Sequence, residues 1–221
     1  YNFSWKLAAG ETFTTPEAIS VFSTNGLNGM SQCFHNMCRK HLGKSTSNIK
    51  RPLLINSWEA MYFDMNEKAI ENFVNNCKEF DIDTFVLDDG WFGARDDDFT
   101  SLGDWFVHKT KFPEGLGKVV EVCKKNNMNF GIWFEPEMIS QKSELFKAHP
   151  DWCIHVENKE PTESRNQLVL DMSRPEVVDY TYNQVSAILK EYDISYVKWD
   201  MNRNITDAGS ASLSPERQGE F

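Results

Sequence analysis

Positive charge is scarce in this sequence. Across 221 residues, 23 Lys and Arg stand against 33 Asp and Glu, a formal net charge of −10 at pH 7. Such a balance repels nucleic acid phosphates and anionic bilayers, so neither nucleic acid nor membrane is an expected partner. Long apolar runs are missing too. None approaches the roughly 20 residues that cross a bilayer, and the opening Tyr1-Asn2-Phe3-Ser4-Trp5 has neither the basic start nor the apolar stretch of a secretory leader. The five cysteines, Cys33, Cys38, Cys77, Cys123 and Cys153, are odd in number and contain no CxxC pair. That pattern disfavours a disulfide framework or a zinc site and suggests reduced thiols in a cytoplasmic protein. No cofactor and no metal is expected.

What is present is a soluble composition with 40% apolar residues and many aromatics, including seven Trp and 16 Phe. Residues 1–50 carry turn formers (Gly10, Thr14-Thr15-Pro16, Asn25-Gly26, Asn28-Gly29) between short apolar runs, then a helix-like stretch over 30–42 and a polar connector over 43–50. This part reads as the end of an N-terminal β-sandwich domain with a linker helix. From Arg51 the pattern becomes regular. Short β-branched or apolar runs at 53–56, 84–87, 129–134, 168–170 and 195–199 alternate with segments of helical period. Ile70, Phe73, Val74, Cys77 and Phe80 share one helical face, and Leu116, Val119, Val120 and Cys123 share another. Ser173 and Glu176 have capping-box spacing around Pro175, ahead of a face formed by Val178, Tyr182, Val185, Ile188, Leu189 and Tyr192.

Successive β/α steps favour a parallel sheet, either an open doubly wound sheet or a closed (β/α)8 barrel. The open sheet would usually carry a glycine-rich phosphate turn after its first strand. Asn56-Ser57-Trp58-Glu59-Ala60 contains no glycine. The expected class is therefore α/β, with residues 51–221 forming about the first five units of a (β/α)8 TIM-type barrel that takes about 250 residues when complete.

Barrel active sites lie at the C-terminal strand ends, and there the sequence places Trp58 and Glu59; Asp88, Asp89, Gly90 and Trp91; Trp133, Glu135 and Glu137; Asp171; and Lys198, Asp200 and Asn202. Carboxylates among tryptophans suit cleavage of a glycosidic bond, where one acid protonates the leaving oxygen and another stabilises or captures an oxocarbenium-like carbon. Lys198 and Asp200, two apart on a strand, point to one side, so the lysine favours the ionised carboxylate. An acidic ring could instead hold a hard divalent metal. A third reading is a non-catalytic sugar-binding piece.

Three motifs resemble glycoside hydrolase family 36, the bacterial and fungal α-galactosidases related to melibiase. They are Leu87-Asp88-Asp89-Gly90-Trp91-Phe92, Gly131-Ile132-Trp133-Phe134-Glu135-Pro136-Glu137-Met138 and Tyr196-Val197-Lys198-Trp199-Asp200-Met201-Asn202-Arg203. The flanks Gly10 to Ala18 and Gly26 to Ser31 resemble the family as well. The resemblance implies retaining hydrolysis of terminal α-galactoside oligosaccharides, with Asp200 as the nucleophile that forms a covalent galactosyl-enzyme. Asp88 and Asp89 would bind galactose hydroxyls, Trp58 and Trp133 would shape the pocket, and Lys198, Asn202 and Arg165 would donate further hydrogen bonds. It also implies a homo-oligomeric parent enzyme. The family's acid/base aspartate lies on a later strand. Nothing after Asp200 matches it, and Asp207 comes too soon to occupy a sixth strand, so the chain reads as a fragment lacking its acid/base.

Overall fold

The computed structural model describes residues 3–42, 50–156 and 158–221. By its internal contacts the chain separates into two units, Leu7–Arg51 and Tyr1–Lys6 with Pro52–Phe221. In the first unit, helix α1 (Gly26–Met37) runs into a π-helical turn, Cys38–Leu42. The helix therefore begins four residues before the expected stretch at 30, because Gly26 adopts a positive φ of 64° and turns the chain into it. No strand occurs among the described residues of this unit. The expected connector at 43–50 lies, apart from Lys50, outside the described residues.

The second unit contains β1 (Leu54–Asn56), α2 (Trp58–Met61), α3 (Glu67–Cys77), β2 (Thr84–Leu87), α4 (Gly117–Lys125), β3 (Asn129–Phe134), β4 (Met138–Ile139), α5 (Glu144–Ala148), β5 (Leu168–Val169), α6 (Pro175–Glu191) and β6 (Tyr196–Trp199). Helix α3 starts where the Asn66 side chain accepts the Ala69 N–H, and its residues at i, i+4 and i+7, Ile70, Val74 and Cys77, are buried. Each large aliphatic side chain so covered contributes about 1.5–3 kcal/mol. Phe80 falls beyond the helix in a 3-10 turn, out of register with that stripe, and is exposed. Helix α4 buries Val119, Val120 and Cys123. All four residues of β2 are buried, as in a parallel strand covered on both faces.

The main sheet has four strands in the order β1-β2-β3-β6, and every neighbouring pair is parallel. The fourth candidate strand is not part of it. Leu168–Val169 instead pairs antiparallel with Met138–Ile139, so the expected five parallel strands are four. A short continuous apolar run reveals burial but neither direction nor partner.

Two readings of α6 also change. Its N-cap is Arg174, with no side-chain capping bond. The Ser173 hydroxyl donates to Asp171 and Glu176 pairs with Arg174, so the capping box does not form. The helix buries Val177, Thr181, Val185 and Ile188. Val178, Tyr182 and Leu189, expected on the buried face, are exposed along a second apolar stripe.

Candidate active site

The ends of the four parallel strands converge on a cleft of about 350 Å³. All eight expected site residues line it: Asp200, Trp58, Asp88, Asp89, Trp133, Arg165, Lys198 and Asn202. Phe63, Arg95, Asp98, Glu135 and Gln167 complete the wall.

After β1, the Asn56 side chain accepts the Trp58 N–H at 2.7 Å and its amide donates to Asp88 Oδ2 at 2.5 Å. The Asp88 N–H is held by Ser57 Oγ. Asp88 itself accepts from Lys198 Nζ at 2.8 Å, and this pair ties the end of β2 to β6 across β3. Asp89 takes a two-pronged contact from Arg95, Nε to Oδ1 at 2.9 Å and Nη2 to Oδ2 at 2.8 Å. Burial pushes the Asp89 carboxyl up and the Arg95 guanidinium opposes it. Gly90 turns the chain at φ 108°, where an added Cβ would lie 3.2 Å from the Phe63 ring.

Strand β3 delivers Trp133. Its ring stacks on Phe92 with centroids 6.1 Å apart, its carbonyl accepts the Trp91 indole N–H, and its own Nε1 donates to Asp200 Oδ2 at 2.9 Å. On β6 the two-residue period is visible as burial. Tyr196, Lys198 and Asp200 are partly buried, whereas Val197, Trp199 and Met201 are exposed. The Asp200 N–H donates to Phe134 O. Its carboxylate accepts from Asn202 Nδ2 at 3.0 Å on Oδ2 and from the Met201 N–H at 3.0 Å on Oδ1, with Lys198 Nζ 4.0 Å away. Burial opposes its ionisation, but the Trp133, Asn202 and Met201 donors and the lysine charge together hold it below the ordinary aspartate value.

Arg165 is exposed on a two-residue turn closed by reciprocal Ser164 and Gln167 backbone bonds, with Arg165 and Asn166 both at positive φ, 53° and 59°. This is the conformation of a primed hairpin turn, unfavourable for a residue with a side chain. The Asn166 amide donates to Asp98 at the rim.

Three of the strand-end acids stand elsewhere. Glu59 is exposed and accepts the Tyr62 hydroxyl. Glu137 accepts the Trp199 indole N–H and lines a separate apolar groove with Val178, Tyr182 and Leu189. Asp171 is fully buried against Ser173 and Ser210. Alternation would put Glu137 on the side of Glu135, but β3 has ended at Phe134, the period no longer holds, and the Glu137 side chain serves another surface. Asp207 is also removed from the cleft. Burial pushes its carboxyl up, but Lys159 and Thr162 hold it down to about 2. Arg95, Asp98 and Gln167 carried no sequence signal as site residues, since each sits in an irregular loop that only folding brings to the strand ends. Among the described residues no group of three or more His, Cys, Asp or Glu is arranged to hold a metal ion.

The family model described as Melibiase matches residues 12–221. Alpha-galactosidase AgaA of Geobacillus stearothermophilus is 51% identical over 221 residues, which are 100% of this chain and 30% of that protein. A crystal structure of a substituted form of that GH36 enzyme in complex with stachyose superposes with a TM-score of 0.93 at 50% identity, covering 99% of this chain and 31% of that one. Another form, in complex with raffinose, gives a TM-score of 0.84 at 52% identity, covering 88% and 27%. The chain thus spans about 30% of the length of the curated relatives it matches. The family match over residues 12–221, together with these identities along the whole chain, makes it a member of the melibiase family.

Proposed function

We propose that this chain carries the nucleophile half of a retaining α-galactosidase that hydrolyses terminal α-galactosides of the melibiose and raffinose type. The observation that supports this best is the surroundings of Asp200. Three hydrogen-bond donors and a nearby lysine keep it ionised at the mouth of a cleft lined by tryptophan and further carboxylates. The two side-chain donors converge on Oδ2, leaving Oδ1, which among the described residues takes only the Met201 N–H, with a lone pair for attack.

In the first step Asp200 Oδ1 bonds to the anomeric carbon as the bond to the leaving oxygen breaks, and an acid elsewhere in the enzyme protonates that oxygen. Water then releases galactose from the covalent ester, the same acid having become the base. A retaining geometry requires that acid at about 5–5.5 Å from Asp200. We assign it to the parent enzyme outside this chain. Asp88, Asp89, Lys198, Asn202 and Arg165 hydrogen-bond sugar hydroxyls, and Trp58 and Trp133 give the ring apolar walls.

The sequential, all-parallel strand order supports a barrel over a doubly wound sheet, whose order reverses at a switch point. Residues 1–50 belong, in this reading, to the end of a preceding β-sandwich domain. The parent enzyme is a cytoplasmic homo-oligomer. The 221-residue chain alone hydrolyses p-nitrophenyl α-galactoside slowly or not at all; robust turnover by it would refute that assignment. In the full-length enzyme Asp200→Asn lowers kcat by on the order of 10⁴-fold. Activity of that variant at the parent's level would exclude Asp200 as nucleophile.

A further inference from the structure

Glu135 is a buried carboxylate, 1% exposed, in the wall of the cleft. Burial and the charges of Asp200 and Asp89, both of its own sign, oppose its ionisation. A buried acid in such company needs hydrogen-bond compensation, and here each oxygen has it. Oε1 accepts the backbone N–H of Asn202 in a short contact, and Oε2 accepts the Gln167 side-chain amide at 3.1 Å. Neither contact is made by the reacting carboxylate, but one leads to it and the other to the cleft wall. The Asn202 side chain donates to Asp200 Oδ2, and Gln167 closes the turn that carries Arg165.

We propose that Glu135 is a positioning residue for the reaction at Asp200, which it serves by fixing the Asn202 backbone and thereby the amide that Asn202 presents to the nucleophile. The chain leaves β6 at Trp199, and the Asp200 N–H on Phe134 O is the last bond of that pairing. Between it and the buried Arg203, whose guanidinium is held by Thr162 O and Gln167 O, the Asn202 N–H has one anchor among the described residues, Glu135 Oε1. Without it, residues 201 and 202 can shift, and Asp200 Oδ2 loses one of its two side-chain donors. Misplacement on the order of 1 Å is enough to lower catalysis by about 100-fold.

What this role requires is an acceptor at the Oε1 position, not a negative charge. Gln167 Oε1 is buried with no hydrogen-bond partner among the described residues. In the E135Q variant the carbonyl would stay on the Asn202 N–H, and a flip of the Gln167 amide, which now presents Nε2 to this position, would bring its orphan Oε1 round to accept the new amide. Glu135→Gln is the rescuing variant, and Glu135→Ala the disruptive one.

This inference rests on Asp200 being the nucleophile, so Asp200→Asn is the control. In full-length enzyme assayed on p-nitrophenyl α-galactoside, E135A is expected to lose about 100-fold in kcat/KM and E135Q no more than about threefold. The E135A/N202A double variant is expected to match N202A within about threefold, because two residues acting in series do not multiply their effects. Parental kcat/KM in E135A, or losses that multiply in the double variant, would overturn the role of Glu135 while an inactive D200N left the nucleophile standing. Full activity in D200N would instead remove the nucleophile assignment. If E135A does not melt cooperatively, E135D replaces it: the charge stays but the shorter side chain cannot reach the Asn202 N–H. E135D is expected to lose at least about tenfold, and parental kcat/KM in E135D would likewise overturn the inference.

Discussion

The Asp89–Arg95 pair offers a severe test of the site's electrostatics. Asp89 is 8% exposed and Arg95 1%, and their two hydrogen bonds are 2.9 and 2.8 Å long. Replacing Arg95 by Met keeps much of the stem volume and removes the cation, leaving a buried carboxylate beside Asp88 with no counter-charge. Removing one partner of a buried pair costs about 3–5 kcal/mol. The full-length enzyme is larger than this chain, and the shift per kcal/mol falls with size, so a Tm lower by several degrees is expected at pH 7. The pH dependence follows from burial, which already raises the Asp89 pKa against the pull of Arg95. Without the arginine the folded-state value rises further above the unfolded one. A carboxyl shifted in that direction costs stability as pH climbs through the interval between the two values. The deficit should therefore be widest near neutrality and narrow in acid, where Asp89 is protonated in both states. Thermal unfolding of full-length parent and R95M, followed by tryptophan fluorescence between pH 4 and 8, measures this. The D89N/R95M double variant, which buries no charge, should recover part of the loss. A deficit below about 1 kcal/mol, or one of equal size at both ends of the pH range, would refute the reasoning.

Further expectations concern Asp200, the proposed nucleophile, and its frame. Because Asp200 is held below the ordinary aspartate value, the acid limb of kcat/KM should lie low, and Lys198→Met should move it upward; a limb unmoved in that variant would deny Lys198 its role. The corresponding stability is present above the unfolded pKa of Asp200 and is lost as pH falls through its lower folded value. Trp133→Phe keeps the stack on Phe92 but deletes the indole donor to Asp200 Oδ2. It should lower kcat/KM by about tenfold or more, with the acid limb again rising, and parental kinetics would show the donor to be dispensable. Gly90→Ala meets both the positive φ and the Phe63 ring. Its expected destabilisation is about 1–3 kcal/mol in urea unfolding, and a neutral result would contradict the observed turn.

Much of the cleft was legible because strand ends impose a simple geometry. Asp88, Trp133, Lys198 and Asp200 follow runs whose β-branched and apolar character marks them as buried strands, so their chemistry stood out against that background. The same reading misassigned the run at 168–170, since apolarity cannot distinguish a parallel partner from an antiparallel one. It also drew Glu59, Glu137 and Asp171 into the acidic ring. Each follows a strand in sequence, but Glu59 lies on α2, Glu137 comes after β3 has ended, and Asp171 follows β5, which belongs to the separate antiparallel pair.

The order of residues along the chain marked the four strands of the parallel sheet and which side chains alternate inward on β6, because a two-residue period and an uninterrupted apolar run are local properties; it did not mark the short β4. It therefore places Lys198 and Asp200 on one side of β6. Only the tertiary structure decided that Arg95 clamps Asp89, that Gln167 faces Glu135, and that Asn202 folds back to both Glu135 and Asp200. Those contacts join residues from separate loops. Their partners are chosen by the closing of the strand ends around a shared cleft, a distance in space that no local pattern encodes.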